Sequence, residues 1–243
     1  TARTLAWDES TIRSLPDYST ERQLREIGFS EGFLNGFLRP FLGGIFLDRS
    51  LSFSRRQFAF VWRCLASGAI GLPRGGMGAI PALIASTLPP SAIRLNTRVT
   101  SLVPGSSGGQ VEIRLASHEV IEASAVILAA DAREGGRILG QNFPGEYNGM
   151  VQVWLECAER PLPEPMLLLN GTGKGIVNSI SPSSMAQSSY APPGRGLLGA
   201  TIVGNRDESD DELIARVLTE VEALAPEAGV KRVLACQRIP ESH

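Results

Sequence analysis

Three stretches of this 243-residue chain hold residue types that could do chemistry. The first is the acid cluster Asp207, Glu208, Asp210, Asp211 and Glu212, whose carboxylates suit a divalent cation. It lacks the alternating spacing and central glycine of a calcium loop. Ser209 and Glu212 have capping-box spacing ahead of the apolar series Leu213, Val217, Val221 and Leu224. The acids are therefore read as the first turn of a helix, where they complement its dipole. The second stretch, "NGTGKG" from Asn170 to Gly175, resembles a phosphate loop. Gly175 stands where a magnesium-reaching Ser or Thr belongs, and β-like flanks make a hairpin turn the better reading. The third, "GLPRGGMGAIPALIASTLPPSAIRLNTRVTSL" from Gly71 to Leu102, packs glycines ahead of an apolar helix. Gly76-x-Gly78-x-x-Pro81 puts proline where a dinucleotide fingerprint has its third glycine, and no convincing strand precedes it. The turn is not read as a pyrophosphate cradle.

The remaining chemistry is narrowed by what is scarce. His118 and His243 are the only histidines, which argues against a His-rich metal site or a Ser-His-Asp triad. Cys64, Cys157 and Cys236 are far apart and without Cys-x-x-Cys spacing, so neither a zinc site nor a disulfide framework is expected. A net charge of −2 gives no electrostatic footprint for nucleic acid. No apolar run approaches the ~20 residues that span a bilayer, and no signal sequence is read at the start. Asn170-Gly171-Thr172 is a glycosylation sequon read here as a turn tripeptide.

The elements that position these stretches follow from periodicity. Residues 1–70 read as helical: Thr20 and Gln23 have capping-box spacing, Gly28 closes that helix, and Ser30 and Ser54 open two more. Phe33, Phe37 and Phe41 recur at i, i+4, as do Phe58 and Trp62. Core packing is the plainer reading of these rings, with an apolar ligand channel as the second. Pro40 is expected to bend or end its helix. A helix over 78–88 carries Leu83, Ile84 and Leu88 on one face, and Pro89-Pro90 ends it. "AIRLNTRVTSLV", "VEIRLA" and "VIEASAVILAA" read as strands, with His118 in an exposed turn. Residues 151–204 read as a separate antiparallel or mixed sheet, followed by a 210–225 helix and a last strand.

Turn, helix, strand and hairpin in that order resemble the interior signature of a flavoenzyme superfamily. Its members are the flavin-containing amine oxidases, phytoene desaturases and protoporphyrinogen oxidases. "LPRGGMGAIPALIASTLPPSAIRLNTRVTSL" resembles that family's Pro-x-Gly-Gly-Met-like turn, helix and "lnt-x-V-x-x-I" strand. "VIEASAVILAADA" looks like the strand that leaves the flavin domain. "FLRPFLGGIFLDRSLSFSRRQFAFVWRCLASG" resembles the preceding helices, nearest to a desaturase-like branch. The likeness is good over roughly residues 30–135 and holds elsewhere in outline.

The resemblance implies FAD as cofactor and an α/β (α+β mixed) fold, the middle part of a two-domain flavoprotein. A helical part of a substrate domain (1–70) would precede a middle segment of the FAD domain (71–135) and a sheet-plus-helix substrate domain (136–243). It also implies a backbone contact from Val99 to the adenine end of FAD. Gly75 and Gly76 would let backbone approach the flavin closely. No catalytic residue and no metal are implied. The family's Gly-x-Gly-x-x-Gly segment and its closing Gly-Asp segment have no counterpart here, and the first methionine is Met77. The chain is accordingly expected to be an internal piece, lacking N- and C-terminal segments and unable to retain FAD alone. The expected reaction is a two-electron oxidation or desaturation of an apolar small molecule such as an isoprenoid or porphyrinogen. Peripheral membrane contact is compatible with it, and the expected location is cytoplasmic, or plastid in a photosynthetic eukaryote. The alternative is a non-catalytic lipid- or pigment-binding protein of the same fold.

Overall fold

The computed structural model describes residues 8–105, 109–142 and 147–242. The described helices are α1 (Glu9–Ser14), α2 (Thr20–Ile27), α3 (Glu31–Phe33), α4 (Arg39–Phe46), α5 (Arg55–Ser67), α6 (Ala79–Ser86), α7 (Ala132–Leu139), α8 (Ser183–Ala186) and α9 (Asp210–Leu224). The strands are β1 (Val99–Pro104), β2 (Val111–Leu115), β3 (Val120–Ala123), β4 (Met150–Cys157), β5 (Leu168–Leu169), β6 (Val177–Ser181), β7 (Gly196–Val203) and β8 (Arg232–Ile239). They form two compact units, one of residues 1–79 with 147–243 and one of residues 80–146.

The larger unit joins a helical segment to a five-stranded antiparallel sheet of order β5-β6-β7-β4-β8. Alternation along β4 sends Val151, Val153 and Leu155 to one face, where they meet Leu213, Val217 and Val221 of α9. The Ser209–Glu212 capping box starts α9 as expected. Among the helices, Leu24, Leu34, Leu38, Leu42, Leu51 and Phe58 make a second core. The two parts meet where α4 reaches β6: Asn178 Nδ2 donates to the Pro40 carbonyl at 2.9 Å. Asn178 is fully buried, and the bare Gly44 leaves room for it, since a Cβ there would sit 3.0 Å from Nδ2.

Two helix boundaries differ from expectation. Ser19, not Thr20, caps α2, its side chain accepting from the Arg22 N–H, while Thr20 donates its hydroxyl to the Phe53 and Ser54 carbonyls. Pro40 does not end its helix. A π-helical turn, Leu34–Leu38, lies between α3 and α4, and Pro40 falls in the first turn of α4. The wider turn absorbs the missing N–H and the ring clash that would break a regular helix.

The smaller unit is the three-stranded antiparallel sheet β1-β2-β3 with α6 and α7. Two predicted strands are shorter than their patterns. The one read from residue 92 starts only at Val99, because Pro90–Ala92 is a 3-10 turn and Asn96 takes a left-handed φ of 54°. The one read over 120–130 ends at Ala123, opposite Val111 at the end of β2. Beyond Ala123 the β-patterned residues run without a strand assignment, and Ile127 is 95% exposed. The helix read over 78–88 is shorter, ending at Ser86, and its predicted apolar face is solvent-facing at Leu83 and Ile84, as is Leu88 beyond it.

Candidate functional site

The Gly75-Gly76 turn is built from both ends. Gly76 N–H donates to the Pro73 carbonyl and Ala79 N–H to the Gly76 carbonyl, each at 3.0 Å. Gly76 has φ +80°, which is the reason for glycine there, since a Cβ would meet nothing within 4 Å. A Cβ on Gly75 would lie 3.4 Å from Ala79, ordinary contact. Residues 69–73 are not a strand, so the turn is not the strand–turn–helix of a dinucleotide fingerprint. Three carbonyls ahead of the turn are already engaged. Leu72 accepts from Gln187 Nε2 at 3.2 Å, Pro73 from the Tyr190 hydroxyl at 2.9 Å and Arg74 from the Ser189 hydroxyl at 2.6 Å. The segment 187–190 thus fixes the approach of residues 72–74 and leaves the two glycines as bare backbone. None of these partners was legible in the sequence, where residues 187–190 carry only a Ser-rich loop signal.

Val99, half-buried, opens β1 in the smaller unit. The strand bulges after it: Val99 pairs with Leu115 and Ser101 with Arg114, leaving Thr100 extra. Arg137 of α7 donates to the carbonyls of Val99 at 3.0 Å and Thr100 at 3.1 Å. Glu134 holds the same guanidinium at 2.6 and 2.7 Å, and Arg137 in turn keeps the Glu134 carboxyl below its ordinary pKa. Asp131 caps α7 through the Glu134 N–H at 2.9 Å, and Gly140 closes it in the left-handed conformation. Asp131 and Glu134 are a helix-start signal that the reading of residues 120–130 as a strand passed over. The three sequence-predicted cofactor positions are therefore divided, with Gly75 and Gly76 in one unit and Val99 in the other.

Bare backbone at Gly75 and Gly76, with the neighbouring carbonyls tied down, fits close approach by a flat ring. The Val99 carbonyl accepts a guanidinium N–H from Arg137, the residue that orients it.

The sheet face opposite α9 is polar and was not singled out by sequence. Alternation places Gln152, Trp154 and Glu156 there, paired with Thr201, Gly199 and Leu197 on β7. Thr201 donates to Gln152 Oε1 at 2.8 Å and Trp154 Nε1 to Gln237 at 3.0 Å. Gln152 Nε2 is buried without a partner. Gly199 makes the space, because a Cβ would stand 2.6 Å from that nitrogen and 2.9 Å from Ser181 and Trp154. Glu156 is held below the usual carboxyl range chiefly by its bond from Arg232 Nε at 2.7 Å, with Arg195 adding to it. Burial pushes the neighbouring Cys157 thiol up to about 11, so it is not a nucleophile. Among the described residues no cluster of three or more metal-ligating side chains occurs.

The rings of the helical segment form a ladder. Phe29, Phe33, Phe37 and Phe41 stack in sequence with centroids 5.3 Å apart, and Phe33 and Phe37 are each more than a third exposed. The π turn falls between the first and last rungs, and its wider winding counters the drift of regular i, i+4 steps.

Comparison with known proteins agrees with the fold. An oxidoreductase from Methanosarcina mazei superposes with a TM-score of 0.73 at 18% identity, over 95% of this chain and 59% of that one. A protein from Pyrococcus furiosus gives 0.70 at 18%, over 97% and 62%. Reduced UDP-galactopyranose mutase gives 0.68 at 15%, over 100% and 59%. The chain thus spans about three-fifths of the length of these structures. No similar sequence was found among the curated proteins. The family of flavin containing amine oxidoreductases matches residues 4–238. With nearly the whole chain matched and the fold in agreement, this protein belongs to the flavin containing amine oxidoreductase family.

Proposed function

We propose that the chain is part of an FAD-dependent oxidoreductase that removes two electrons, as an oxidation or desaturation, from an apolar small molecule. The family match over residues 4–238 carries the reading. Bound FAD would accept the hydride, while the protein positions the substrate C–H bond. Gly75 and Gly76 would give the flavin ring a side-chain-free surface, and Val99, steadied by Arg137, would meet the adenine end through its carbonyl. The exposed rungs Phe33 and Phe37 support an apolar rather than a small charged substrate.

The test is anaerobic flavin reduction. A protein joining this chain to a strand–Gly-x-Gly-x-x-Gly–helix segment is expected to purify with a flavin absorbance. That absorbance should bleach with an isoprenoid or porphyrinogen donor and not with a small primary amine. A colourless protein, or bleaching by the amine alone, overturns the reading.

A further inference from the structure

The helical segment contains a cavity of about 260 Å³ lined by Leu24, Phe29, Phe33, Leu38, Phe58 and Trp62. Leu24, Leu38 and Phe58 are 0–2% exposed and form its floor. Phe29 and Trp62 are half-buried and Phe33 is 43% exposed, so these three make the mouth. The indole N–H of Trp62 is the only polar side-chain atom among the six.

An apolar cavity with a single hydrogen-bond donor does not hold ordered water, since a buried water needs two to four polar partners. A dry cavity of roughly 150 Å³ lined by Leu, Ile and Phe already binds benzene. This one is larger, yet smaller than the roughly 300–1,000 Å³ of sites for drug-sized ligands. We propose that it is a binding pocket for a compact uncharged hydrocarbon group, one aromatic ring or a short branched alkyl chain. Such a group bears at most one hydrogen-bond acceptor, which faces Trp62. The proposal rests on the helical segment alone and stands or falls independently of flavin binding.

The phenylalanine ladder explains why the pocket stays open. Stacking holds Phe33 between Phe29 and Phe37 at 5.3 Å on either side, so its ring stands at the rim and does not fold inward. On the opposite wall, Phe58 and Trp62 lie 5.6 Å apart and tilted by 36°, packed on α5 one turn apart.

Iodobenzene is the probe, because its heavy atom quenches a tryptophan that it touches. Added to the 243-residue chain, it is expected to quench emission saturably and raise Tm, as a ligand of the folded state does. Iodide, which carries the same atom as an anion, should quench only linearly. Leu38→Phe fills the floor and should weaken iodobenzene binding at least about tenfold. Trp62→Phe keeps the cavity, so the Tm rise should persist while the saturable quench disappears. The second variant decides the case if Leu38→Phe does not fold. Linear quenching by iodobenzene, no Tm rise, or a saturable quench that survives Trp62→Phe overturns the proposal.

Discussion

Asn170→Asp changes one atom group and reads the hairpin that joins β5 to β6. Asn170 is 3% exposed and uses all of its side-chain amide. Nδ2 donates to the carbonyls of Lys174 and Val177 at 2.8 Å each, and Oδ1 accepts from the Thr172 N–H at 3.2 Å and hydroxyl at 2.6 Å. A carboxylate keeps the Thr172 bonds but faces two carbonyl oxygens with no proton to give. Losing two neutral donations costs about 2 kcal/mol at roughly 1 kcal/mol each. Protonation restores one donation, so the folded state raises the pKa of the introduced carboxyl above the unfolded value near ~3.9. For an acid shifted upward, the charge penalty is absent below the unfolded pKa and grows as pH rises through the folded one. With the Thr172 donors limiting the rise, the charged form at pH 7 costs roughly 1.4–2.7 kcal/mol more than the protonated form, which lacks one donation worth about 1 kcal/mol. The total is about 1 kcal/mol near pH 3.5 and about 3 kcal/mol at pH 7, a Tm loss of roughly 6–12 °C in a chain of this size. Thermal melts of variant and parent at both pH values measure it. A difference that stays constant with pH, or a Tm loss at pH 7 below about 2 °C, refutes the reasoning.

Phe37→Ala should cost about 1–2 kcal/mol, less than the ~3–5 of a buried ring, because 37% exposure leaves mainly its stacking on Phe33 and Phe41. A chemical melt gives the cost, and turnover per folded molecule in a flavin-bearing protein shows whether the ring also meets substrate. Arg137→Ala should free the Val99 and Thr100 carbonyls and raise amide hydrogen exchange across β1 and α7 while leaving the five-stranded sheet protected. Unchanged exchange in β1 would count against Arg137 as the brace of the Val99 bulge. Stability should fall as pH drops below about 4.5, the ordinary glutamate value, since Arg232 holds Glu156 and Arg137 holds Glu134 below it. Their stabilisation is complete above that value and lost as pH falls through the lowered ones. Melts between pH 3 and 7 should lose this acid limb in part when Arg232 is replaced by Met.

Much of the scaffold was legible because its determinants are local. The Ser209–Glu212 box, Ser30 and Ser54 as caps, the left-handed Gly28 and the hairpin at Asn170 act through partners within a few residues. The polar face of β4 was equally open to a reading of its alternation, although only pairing with β7 showed that Gly199 leaves the notch beside Gln152. Where local signals competed, the sequence misled. Two internal glycines hid α7, and β-branched residues past Ala123 promised a strand that β2 is too short to pair. The sequence by itself determined the family signature, the helical and sheet segments and their caps, since periodicity and capping are properties of neighbouring residues. Only the tertiary structure decided that Pro40 is absorbed by a π turn, that Gln187, Ser189 and Tyr190 hold the turn before Gly75, and that Arg137 braces Val99. Those contacts join residues 37 to 117 positions apart or depend on strain spread over a whole helix, and no local pattern encodes which distant donor will meet a given carbonyl.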